Sequence, residues 1–152
     1  MGVVRGSMLT GDGNCQFRAV AFNLFGAQVH HGAVRQAAVA HMKKCADFFS
    51  IYFDGEDEFS SYLRTMSRNR TWGDELTLRA IVEAYMCEAH VVTSEPANWY
   101  LAYSPENPDE PQDPDVARCP KGHSLPPLRK QIFLSYISPI HYNAVVALAP
   151  AP

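Results

Sequence analysis

Positive charge is not in excess in this 152-residue sequence, where 13 Lys and Arg against 16 Asp and Glu leave a formal charge of −3. Neither nucleic acid nor an anionic membrane surface is therefore an expected partner. Long apolar runs are missing as well, and none approaches the ~20 residues that a helix needs to cross a bilayer. The first residues lack the basic-then-apolar pattern of a secretory signal. Met1-Gly2 is followed by Gly6 where a myristoylation signal carries Ser or Thr. Paired cysteines are absent too: Cys15, Cys45, Cys87 and Cys119 lie far apart with no CxxC. Reduced thiols in the cytoplasm or nucleus are expected rather than a disulfide framework. Cys119 and His123 have metal-ligand spacing, but no second pair lies nearby, so neither a metal nor a cofactor is expected. Gly11-x-Gly13 runs into Asn14-Cys15 and no βαβ unit follows, which excludes a nucleotide fingerprint. Trp99, Tyr100 and Tyr103 have no basic neighbours, so they read as a half-buried strand and not as a base-stacking platform.

What is present is an ordinary globular composition, 47% hydrophobic and 19% charged. The length suits one domain spanning 1–152. The start close to the first motif and the stop after the last apolar strand fit a domain cut from a longer protein. After a short strand or coil at Val3-Val4, a helix over Cys15–Phe25 is predicted from Phe17, Val20, Ala21 and Leu24 on one face, with Gly26 as its stop. Val34, Ala38, Met42 and Cys45 predict a second helical stretch over 31–49. Phe59, Tyr62, Leu63 and Met66 predict a third helix, and Asp74 caps a fourth with Leu78, Ile81, Val82 and Tyr85 inward. The period then changes to strands at 89–93, 99–103, 131–137 and 142–148. Residues 104–127 hold seven prolines and read as a long loop between strands. Helices first and strands later in one domain predict an α+β or α/β sheet with helical cover.

The chemistry concentrates in Gly11-Asp12-Gly13-Asn14-Cys15. A turn-forming loop delivers a thiol onto the first turn of a helix, where the helix dipole is expected to lower its proton affinity. A lone cysteine is more often core, but Cys15 falls two positions before the inward Phe17, at the helix entrance rather than on the apolar stripe. Backbone N–H groups of Asp12, Gly13 and Cys15 can converge beside the sulfur as an oxyanion hole. Of six histidines, His141 follows the Pro139-Ile140 turn and opens the last strand. Asn143, two residues on, points to the same side and can fix the imidazole tautomer. Cys, then His, then Asn is the order of papain-like peptidases.

The blocks 11–20, Trp72-Gly73-Asp74 and His141-Tyr142-Asn143-Ala144-Val145, with His31-x-x-Val34-Arg35, resemble the ovarian-tumour (OTU) family of deubiquitinating cysteine peptidases. The similarity runs from about Met8 to Val146 and is nearest the single-domain plant and protist type. It implies a papain-like OTU fold: a central, mostly antiparallel sheet of four to five strands with helices on both sides. It implies Cys15 as nucleophile, His141 as general base and acid, Asn143 as its orienting residue, and Asp12 as the loop residue that shapes the oxyanion hole. Trp72, Gly73, Ile140 and Tyr142 would wall a channel for the substrate tail; Asp74 stands where many members have a second glycine. The implied activity is hydrolysis of the isopeptide bond between the ubiquitin C-terminal glycine and a lysine, by a monomer. A ubiquitin-binding module with little catalysis, or a peptidase for another ubiquitin-like modifier, are the alternative readings.

Overall fold

The computed structural model describes residues 3–5, 12–105, 130–137 and 141–147. The expected loop over residues 104–127 therefore lies outside the described residues from 106 onward, as do Pro139 and Ile140. In chain order come β1 (Val3–Arg5), α1 (Cys15–Phe25), α2 (His31–Lys44), α3 (Ala46–Phe49), α4 (Glu56–Met66), α5 (Glu75–Tyr85), β2 (Glu88–Thr93), β3 (Tyr100–Tyr103), β4 (Gln131–Ile137) and β5 (His141–Ala147).

Each helix has a local cause. Gly26 takes the left-handed conformation at φ 74° and its N–H closes α1 on Phe22 O, which the glycine permits without a Cβ penalty. The predicted stretch over 31–49 is interrupted at Cys45, whose backbone leaves helical geometry. The apolar face continues through Phe49, which is why periodicity alone read one helix. Asp74 caps α5 as expected and forms a full capping box with Thr77: its carboxylate accepts from Thr77 N at 2.9 Å while Thr77 Oγ1 accepts from Asp74 N at 2.8 Å. The same carboxylate accepts the Tyr62 hydroxyl at 2.8 Å, tying α4 to the start of α5.

The strands form one sheet in the order β1-β5-β4-β2-β3, antiparallel except for the β2–β4 pair. Ala89, Val91, Ile132, Leu134 and Ala144 share its inner face and join Phe17, Val20, Val34, Met42, Ile81 and Val82 in one apolar cluster. His90, Val92, Tyr100 and Phe133 alternate onto the outer face, where the last three are exposed. β5 changes neighbours along its length. Residues from Ala144 back to His141 pair with β4, whereas Val145 onward pairs with β1. Asn23 of α1 replaces β5 where the two strands separate, accepting Phe133 N at 3.1 Å and donating to Phe133 O at 3.1 Å. This bond fixes α1 against the sheet, and so fixes where its first residue falls.

Removing the cap is expected to be costly. Asp74→Ala should lower the unfolding free energy by roughly 1–2 kcal/mol for the lost cap alone, with a further loss because the Tyr62 hydroxyl is left without its acceptor. Urea unfolding checks this.

Candidate active site

The loop before α1 is built from the inside. Gly13 sits at φ 84°, and a Cβ there would lie 2.0 Å from Arg70 O. Asn14 is 1% exposed, and its side chain is the hub of the loop. Its Oδ1 accepts Arg35 Nη2 at 2.7 Å and Arg70 N at 3.0 Å, while its Nδ2 donates to Asn69 Oδ1 at 2.9 Å and Asp12 Oδ2 at 3.2 Å. Arg35 is buried and grips three segments at once. It donates to Asn14 Oδ1, to Met66 O at 2.9 Å and to Thr71 O at 2.7 Å, and its guanidinium lies 4.1 Å from the Phe17 ring centroid. Burial pulls its pKa down to about 10, which leaves it a cation at neutral pH.

Asp12 closes the loop from outside. Its carboxylate accepts Asn14 N at 3.1 Å and pairs with Arg18 at 2.7 Å. The Arg18 hydrogen bond is the main reason its carboxyl is held well below the usual carboxylate range. Asp12, expected to shape the oxyanion hole through its backbone, is seen to hold the loop through its side chain.

Cys15 corrects two expectations. It is 1% exposed, within an unbroken buried run over residues 13–17, so the helix entrance is itself inside the molecule and an amphipathic stripe does not describe it. Burial also pushes the thiol up, the reverse of the lowering expected at a helix N-terminus. The N–H groups of Tyr142, Gln16 and Cys15 pull the other way, as a helix end should, and the Asp12 carboxylate adds to the rise. Desolvation outweighs the helix end here.

The Tyr142 N–H reaches the Cys15 sulfur because β1 pairs with β5 only as far back as Val145, leaving the Tyr142 edge to α1. His141 and Asn143 are therefore the residues on either side of the one that contacts the thiol. They share a face, and His141 Nε2 lies 3.1 Å from Asn143 Oδ1. A carbonyl oxygen only accepts, so this contact belongs to a ring with its proton on Nε2, whose Nδ1 is the acceptor in the neutral form.

The expected channel residues are placed unevenly. Trp72 is 49% exposed beside Gly73. The half-buried Tyr142 ring points away from the His141 face and stacks on Tyr136 at 4.4 Å. Ile140 lies outside the described residues. Sequence reading passed over Asn14, Gln16, Arg35 and Thr77 as parts of the site. Arg35 had left a signal, since it precedes Ala38, Val39 and Met42 at helical spacing and so occupies an apolar stripe.

A buried thiol on a helix N-terminus, met by a strand that carries a histidine bonded to an asparagine, is the arrangement of a cysteine hydrolase. The sequence pattern of the OTU-like cysteine protease family matches residues 10–123. The chain belongs to that family. That match takes in Cys15 and ends before β5. Among relatives, OVARIAN TUMOR DOMAIN-containing deubiquitinating enzyme 10 of Arabidopsis thaliana is 36% identical over 135 residues, 89% of this chain and 32% of its own length. Enzyme 12 of the same plant is 27% identical over 95% of this chain and 57% of itself. The chain thus spans between a third and somewhat over half of these two relatives. Among solved structures, the OTUD1 OTU domain superposes with a TM-score of 0.71 at 23% identity, covering 95% of this chain and 86% of that one. An OTU domain in complex with ubiquitin superposes at 0.64 and 16% identity, covering 95% and 69%. These two establish the OTU fold.

Two measurements bear on the loop. Gly13→Ala should lower the thermal midpoint by several degrees more than Gly26→Ala. Both positions have positive φ, but nothing lies within 4 Å of a Cβ at Gly26. The Asp12 carboxyl is depressed in the folded state, so its stabilising contribution is present above the ordinary carboxylate pKa and lost as pH falls below it. The stability difference between the parent and Asp12→Asn should therefore be full at neutral pH and shrink below about pH 4.

Proposed function

We propose that this domain is a thiol-dependent deubiquitinase, with Cys15 as nucleophile, His141 as general base and acid, and Asn143 as the residue that holds the imidazole. The observation that carries the reading is the pairing of the Tyr142 N–H to the Cys15 sulfur with the His141–Asn143 bond on the flanking positions. The names of the plant relatives and the ubiquitin-bound OTU structure support ubiquitin as the modifier.

In this mechanism the Cys15 proton passes to His141 Nδ1 as sulfur attacks the carbonyl carbon of the ubiquitin C-terminal glycine. Backbone N–H groups of Asp12, Gly13 and Cys15 receive the negative charge that forms on the oxygen. The C–N bond breaks, the lysine nitrogen takes the proton from His141, and a thioester remains on Cys15. Water then attacks the thioester carbon and gives its proton to His141, which returns it to the departing sulfur. The products are a lysine amine and the ubiquitin carboxylate. Trp72, Gly73, Ile140 and the Tyr142 backbone are assigned to the walls for the Gly-Gly tail. The enzyme works as a monomer in the reducing cytoplasm or nucleus, where Cys15, Cys45 and Cys87 stay reduced thiols.

A ubiquitin probe with a thiol-reactive C-terminal group should label the parent covalently and leave Cys15→Ala unlabelled. Binding without labelling would favour an inert module, and labelling only by another modifier's probe would favour that modifier as substrate. His141→Ala should slow cleavage of a ubiquitin isopeptide substrate by roughly 10²–10⁴-fold, the range for a general base, with a smaller loss for Asn143→Ala. Equal rates in parent and variants would refute the assignment.

A further inference from the structure

Gln16 follows Cys15 directly and is 1% exposed, an amide where an amphipathic helix would carry an apolar side chain. Burying an amide is costly unless its polar atoms find partners. Both find one where the chain enters α5. Oε1 accepts the Thr77 hydroxyl at 2.6 Å, and Nε2 donates to Asp74 O at 2.8 Å. The side chain is held at its far end, and swinging it aside would strip two buried polar atoms of these bonds.

Gly73 sits on this amide. A Cβ at 73 would lie 2.2 Å from Gln16 Oε1, 2.7 Å from its Cδ and 3.1 Å from its Cβ, and these are the three nearest atoms it would meet. Positive φ is found at Gly13, Gly26 and Gly55 but not at Gly73, so close approach and not backbone conformation demands glycine there. Sequence neighbours such as Cys15 and Gln16 have Cα atoms about 3.8 Å apart. One side chain therefore spans the distance between the backbone that carries the thiol and the segment that carries Trp72.

We infer that Gln16 is a positioning residue that sets how closely the Trp72–Gly73 wall approaches Cys15, and with it the width of the channel for the substrate tail. The inference rests on the roles proposed above for Cys15, Trp72 and Gly73. An apolar residue at 16 could fill the volume but would let the 73–74 segment slide over it, because apolar packing lacks the direction of a hydrogen bond. A methyl group at 73 would push the wall outward, because the amide beneath it is fixed.

The test uses Gln16→Ala, Gly73→Ala and the double variant, all in a Trp99→Phe background. Trp99 is 64% exposed, and replacing it leaves Trp72 as the one tryptophan of the chain. Acrylamide quenching of Trp72 fluorescence then reads the wall itself. It needs no ubiquitin and still decides the matter if the deubiquitinase reading fails. The second readout is kcat and KM on a ubiquitin substrate. Gly73→Ala should increase the quenching and raise KM roughly two- to tenfold with kcat little changed, as lost binding of the tail does. Adding Gly73→Ala to Gln16→Ala should disturb both readings less than adding it to the parent, since the two positions act through one contact. Unchanged Trp72 quenching in Gly73→Ala would overturn the inference even if Gln16→Ala fails to fold. Effects of the two single variants that combine independently in the double would overturn it as well. A shift in quenching with KM unmoved would sink the positioning role and leave the deubiquitinase reading standing.

Discussion

The site depends on one buried guanidinium. Arg35 reaches from α2 to the side chain of Asn14 and to the carbonyls of Met66 and Thr71. Hydrogen bonds to a charged group contribute about 1.5–3 kcal/mol each, and a buried cation without them would cost several kcal/mol. The loop before Cys15 and the segment before Trp72 are thus held by the same cation. Neither can move without leaving a charge short of partners in the interior. Gly13 reinforces this, because its backbone lies against Arg70 O at a distance that only glycine tolerates.

Around that clamp the molecule places a thiol where its charged form is disfavoured. Burial raises the proton affinity of Cys15, and the three backbone N–H groups aimed at it moderate the rise without reversing it. In the proposed mechanism a thiol in such surroundings relies on the imidazole for activation. The strand that carries the imidazole divides its pairing. It bonds to β4 at one end and to β1 at the other, and the edge left open at Tyr142 is where α1 enters. Asn23, on the same helix, repairs the ladder at Phe133 where β5 has departed.

The polar interior is organised in two connected halves that share α1. Asn14 leads to Arg35 and the 66–71 segment, and Gln16 leads to Thr77 and Asp74. Cys15 lies between these two amides. Side chains immediately before and after Cys15 therefore fix the loop on one side and the start of α5 on the other.

The boundaries of α1 and β4, the capping of α5, and the inward positions of the helices were legible in the sequence. They follow from local rules of spacing, turn chemistry and capping, which act over a few residues. The Asp12–Cys15 loop and the His141–Asn143 pair were legible as well, because both are local motifs. The break at Cys45 was not, since the apolar face continues through it. Burial of Cys15 and the resulting direction of its acidity were hidden for a different reason. They depend on how far α1 is driven into the sheet, which residues 13–17 alone do not encode. Gln16 and Arg35 look like ordinary polar helix residues until elements distant in sequence close over them. The sequence by itself determined the chemical parts and the local frames that carry them. Only the tertiary structure decided their electrostatics and partners, because desolvation and hydrogen bonding across dozens of residues exist only once the chain has packed.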